Sequence, residues 1–161
     1  MIKLFITFVF FCFQLNFANA IEIKCEFEEV YTDGSTQIGF FLIKDKNMRY
    51  EYFDKNLYVI FKYKNNFFLV EKKDTEKFQK IPDDRNFILN TIADIANDYP
   101  NINEIYEYDD LTIKIEKNND NFFKRIAIIS NDLALSIYIN NCNQEKIEDK
   151  FFYYFPYFVF Q

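Results

Sequence analysis

The chain has 161 residues, no histidine, only two glycines, and 19 Lys plus Arg against 25 Asp plus Glu, a net charge of −6. Without histidine it cannot build Ser-His or Cys-His nucleophile pairs or a His-ligated zinc site within itself, and Gly34 and Gly39 alone make no phosphate-cradling loop. An acidic surface repels phosphate backbones, so nucleic acid is not an expected partner; carboxylates scattered over solvated positions single out no acid–base pair, so no enzyme activity, metal or cofactor is expected.

The N-terminus reads as an export signal. Lys3 gives a positive start, Leu4 to Phe13 form an apolar run, and Ala18-Asn19-Ala20 offers the small-x-small pattern cleaved by signal peptidase. The run is roughly half of the ~20 apolar residues that a membrane helix needs, which favours cleavage after Ala20 over an uncleaved anchor. No small residue precedes Cys12 or Cys25, so lipid attachment at either is not expected. Residues 21 to 161 then form a single soluble domain.

From the cleavage site onward the pattern is mostly β. Ile21, Ile23, Cys25 and Phe27 alternate with Glu22, Lys24, Glu26 and Glu28, the period of a strand with one buried face. Asp33-Gly34 marks a turn, and Thr36 to Phe53 reads either as a strand pair or as one strand bent through Lys44-Asp45-Lys46-Asn47. Leu57 to Lys64 and Phe67 to Lys73 form a hairpin around Asn65-Asn66. One helix follows: Asp83 or Asp84 caps it, Ile88, Leu89, Ile92, Ile95, Ala96 and Tyr99 share a stripe, and Pro100 stops it.

Residues 103 to 108 are ambiguous. Three strands come next, Leu111 to Lys117, Asn121 to Ser130 and Leu133 to Asn141, separated by Asn/Asp clusters that fit tight turns better than calcium ligands. Phe151 to Phe160 reads as a last aromatic strand, either at an edge or starting late at Tyr157 because of Pro156. The expected fold is mainly β (α+β), a curved antiparallel sheet of eight or so strands around one helix.

Two features bear on function. After cleavage 16 Phe and 12 Tyr remain, each ring carrying roughly 150–250 Å², more apolar area than so small a core usually needs; the surplus either lines a cavity or replaces scarce Ala and Leu in the core. Cys25 and Cys142 outlast cleavage, and export favours a disulfide over two separate thiols. Strict alternation through Leu133, Leu135, Ile137 and Ile139 puts Cys142 on the opposite face unless the strand bends near Asn140-Asn141.

Gly39-Phe40-Phe41-Leu42-Ile43-Lys44 followed by Met48-Arg49-Tyr50-Glu51-Tyr52 resembles the central signature of periplasmic lipoprotein-carrier proteins of the LolA/LolB type. Phe27-Glu28-Glu29, Phe67 to Glu71 and Tyr157 to Phe160 resemble flanking strands of that family, whereas Asp45 stands in place of its proline and no helix precedes the first strand. The resemblance implies an incomplete antiparallel barrel with a helical lid over an apolar concave face. It implies a periplasmic monomer that holds lipoprotein acyl chains, or a related lipid, between an inner-membrane release complex and an outer-membrane acceptor. Alternation assigns Met48, Tyr50 and Tyr52 to the cavity wall and Arg49 and Glu51 to the outer, solvated face; Phe41 and Ile43 of the resembling segment are expected in the same cavity. The helix of Asn86 to Tyr99 is the lid candidate, closing with Ile88, Ile92, Ile95 and Tyr99. The alternative is an envelope interaction protein of the same fold that carries no lipid.

Overall fold

A computed structural model describes residues 22–63, 65–74, 77–82, 86–98, 101–119 and 122–153. The expected export signal, the Asp83 or Asp84 cap, Tyr99 and Pro100, and the aromatic run beyond residue 153 lie outside the described residues.

Among the described residues ten strands form one antiparallel sheet: β1 Glu22–Tyr31, β2 Thr36–Lys44, β3 Asn47–Tyr52, β4 Tyr58–Tyr63, β5 Asn66–Glu71, β6 Phe78–Lys80, β7 Ile105–Tyr108, β8 Leu111–Lys117, β9 Phe123–Ser130 and β10 Ala134–Gln144. Their order, β6-β5-β4-β3-β2-β1-β10-β9-β8-β7, describes two meanders that meet where β1 pairs with β10. The stretch from Thr36 is thus a strand pair, and its turn places Asp45 at φ 53°, a left-handed conformation that aspartate tolerates. Residues 105 to 108, ambiguous in sequence, pair with β8 as an edge strand.

The sheet is not closed, and it curves like half a barrel. Ile60 on β4 and Ile128 on β9 line one cavity although five strand steps separate them, a spacing of about 24 Å on a flat sheet at ~4.8 Å per strand. The chain must also cross from edge β6 to edge β7. That connection carries the one α-helix among the described residues, α1 Phe87–Asn97, whose Ile88 and Ile92 line the same cavity as the sheet. The helix starts behind Asn86, whose Oδ1 accepts a hydrogen bond from Asn90 Nδ2 at 2.6 Å, and Thr91 Oγ1 donates back to the Phe87 carbonyl at 2.9 Å. No helix among the described residues is long and apolar enough to cross a membrane.

Alternation sets the core. Ile23, Cys25, Phe27 and Glu29 of β1 all point inward and are buried. The Phe27 ring lies over Gly39 so closely that a Cβ there would run into the ring and into the Glu51 carbonyl, a close approach only glycine permits.

At the seam the ladder slips: Lys24 faces Asn143 and Glu26 faces Asn140, so Asn141 and Cys142 together oppose Cys25. Asn141 takes φ 47°, and this bulge turns Cys142 inward to bond Cys25, with Cα atoms 4.1 Å apart. The bend that the sequence required near Asn140-Asn141 is therefore an inserted residue.

Smaller apolar clusters sit outside the main core. In one, Leu42, Ile147 and Phe152 pack with Phe40. Phe151 does not begin a strand, because Asp149–Phe152 forms a 3₁₀ turn instead. Lys44 Nζ holds Asp149 at 2.7 Å and the Ile147 carbonyl at 2.8 Å, Arg49 donates to the Phe151 carbonyl at 2.9 Å, and Phe152 is buried by the fold-back.

Candidate functional site

A cavity of about 140 Å³ lies between α1 and the concave face of the sheet. Of the expected site residues, Phe41, Ile43, Met48, Tyr50 and Tyr52 line it from β2 and β3, and Ile88 and Ile92 line it from α1. Ile95 is buried in the main core but is not among the lining residues; Leu89 and Ala96 of the same helix are. Tyr99 lies outside the described residues. The opposite wall, which the sequence reading left unassigned, comes from β9 and β10 through Ile126, Ile128, Leu135, Ile137 and Ile139. The same period-of-two argument applied to those strands would have found it.

Arg49 and Glu51 do face away from the cavity, but Glu51 is not solvated as expected. Its side chain is only 16% exposed because Arg49 holds it at 2.6 Å and Lys72 at 3.1 Å, while Lys72 also donates to the Tyr52 carbonyl at 2.6 Å. Alternation fixes which face a residue takes; the neighbouring cations decide how wet that face is.

Glu29 is the residue the sequence reading missed. It is 3% exposed, it lines the cavity, and among the described residues it is the one charged group that does. Its carboxylate accepts hydrogen bonds from Tyr31 at 2.6 Å, from Tyr50 at 2.7 Å and from Tyr52 at 3.1 Å to both oxygens. The signal was present: the Ile23, Cys25, Phe27 alternation continues inward to position 29. The surrounding rings are ordered as well. Phe27 stacks on Tyr50 with centroids 4.0 Å apart, and Tyr52 stands edge-on to Tyr50 at 5.5 Å.

Burial and then the Glu29 hydrogen bond push the Tyr31 phenol up to about 12. Burial followed by the Glu29 charge raises Tyr50 and Tyr52 well above the ordinary phenol value. Below pH 10.0, the ordinary value, folded and unfolded phenols all keep their protons and the cluster's contribution is fully present. Above it the unfolded phenols ionise first, so the contribution is lost as pH rises through the folded values. Urea midpoints measured on either side of pH 10.0 should fall on the alkaline side, and much less in Tyr31→Phe/Tyr50→Phe/Tyr52→Phe. Equal midpoints in the unsubstituted protein would contradict the cluster as drawn.

No protein-family model and no curated protein sequence matches the chain. Its geometry therefore decides what the site can do. Glu29 and the tyrosine hydroxyls apart, the lining is apolar, and an apolar void of about 150 Å³ takes up a benzene-sized ligand, so the cavity suits a small apolar group.

Proposed function

We propose that this chain is an exported, non-enzymatic carrier that holds acyl chains of lipoproteins, or of a related lipid, in its concave cavity during transfer across a bacterial envelope. The observation that carries this reading is the apolar cavity bounded on one side by the helix stripe and on the other by the sheet. Each CH₂ moved from a membrane into water costs ~0.8 kcal/mol, so a soluble carrier must offer matching apolar area and later release it. The helix α1 acts as the lid. It bears on the sheet mainly through apolar contacts, and its one ion pair among the described residues, Lys62 to Asp94 at 3.8 Å, involves an exposed carboxylate and adds little. Swinging the helix aside enlarges the cavity enough for a chain, and partners at the two membranes drive loading and release.

A specific observation supports a second reading, a binding protein of the same fold that carries no lipid. The volume of about 140 Å³ is below the ~300–1,000 Å³ of most small-molecule sites. Titration of the purified protein with a fluorescent acyl probe separates the two. Saturable binding displaced by a lipoprotein is the expected result; non-saturable, purely linear uptake leaves the interaction protein standing and removes the carrier.

A further inference from the structure

Glu29 gives the cavity a sign. Three phenols satisfy its oxygens, yet they keep their protons and bring no positive charge. Among the described residues no cation pairs with it, and Lys62, the buried lysine near α1, is committed to Asp94 and to the face of Phe67. A buried carboxylate without a counter-charge is costly. Each phenol oxygen still has lone pairs to offer a donor, and the hydroxyls of Tyr50 and Tyr52 converge on the same carboxylate at 2.7 and 3.1 Å.

We propose that the cavity selects amphiphiles carrying a positively charged nitrogen beside the apolar chain, with Glu29 as the counter-charge and the hydroxyls of Tyr50 and Tyr52 as acceptors. This rests on the reading of the cavity as a ligand site and adds the polar half of the ligand. Fatty-acid carboxylates are disfavoured by the same charge, since like charges in a dry site repel strongly.

The test is calorimetric titration with octylammonium, octanol and octanoate, which share a chain and differ in charge. Octylammonium should bind at least about tenfold more tightly than octanoate, with octanol between them. Glu29→Gln should abolish the preference, so that octylammonium no longer binds more tightly than octanol or octanoate. Octanol binding without charge discrimination, or a preference that survives Glu29→Gln, overturns this proposal and spares the carrier. Failure of all three to bind saturably overturns both. The ranking in the unsubstituted protein decides the matter alone if Glu29→Gln does not fold.

Two sources carry this chemistry, an aminolipid headgroup and the free α-ammonium of a lipid-modified N-terminus. Lysophosphatidylethanolamine and an S-alkylated cysteinyl peptide, each beside its N-acetylated form, tell them apart. The one that loses affinity on acetylation names the source, and loss by neither overturns the proposal.

Discussion

Replacing Cys25 and Cys142 together by alanine should lower the unfolding free energy by about 4–5 kcal/mol, the loop-entropy value for a closure of on the order of a hundred residues. The bond spans 117 positions. It also sits at the one seam where the two meanders meet, β1 against β10, so it pre-pays the longest-range pairing of the sheet. The melting temperature should fall by roughly 10–20 °C for a domain of this size. Urea and thermal unfolding of the double variant, and of the unsubstituted protein with reductant, measure this. A loss below about 1 kcal/mol would mean that the bulge at Asn141 holds the seam by itself.

That bulge shows where a sequence stops informing. The inward series Ile23, Cys25, Phe27 and the series through Leu135, Ile137 and Ile139 were legible because each strand has one wet face and one dry face. Nothing in the period reveals an inserted residue; only the demand that Cys142 meet Cys25 points to Asn140-Asn141. Strand β6, three residues long, is too short to show any period. Phe151 and Phe152 have strand composition, yet the Phe152 side chain finds a better home against Leu42 and Ile147, and a 3₁₀ turn takes it there. On the cavity side, alternation named the β2 and β3 wall and the helix stripe named Ile88 and Ile92. It passed over Glu29 because an acid in an alternating strand is normally solvated, and only three tyrosine hydroxyls brought in from β1 and β3 make it tolerable inside. The same habit made Glu51 look wet when Arg49 and Lys72 enclose it.

The largest effect of a single substitution is expected for Tyr50→Asp. The ring of Tyr50 fills space between Phe27, stacked at 4.0 Å, and Tyr52, edge-on at 5.5 Å, and deleting a buried aromatic ring costs about 3–5 kcal/mol before any charge is considered. Aspartate then removes one donor from Glu29, 2.7 Å from the lost hydroxyl, and sets a second carboxylate in the same dry site, so one of the two acids must take up a proton or the helix must open to water. Tyr50→Phe isolates the first part of that penalty: the ring stays, one hydrogen bond to a buried ion goes, and the cost should be about 1–3 kcal/mol. Ile129→Asp is the control, a half-exposed outward position on β9 where the change should cost about 1–2 kcal/mol, from strand propensity and partial burial, and leave the cavity untouched. Urea unfolding gives the stabilities and the fluorescent acyl probe gives the affinities. If Tyr50→Asp folds and binds the probe as well as the unsubstituted protein, then neither the phenol cluster nor the wall it belongs to shapes the cavity, and the acyl-chain carrier has to be given up.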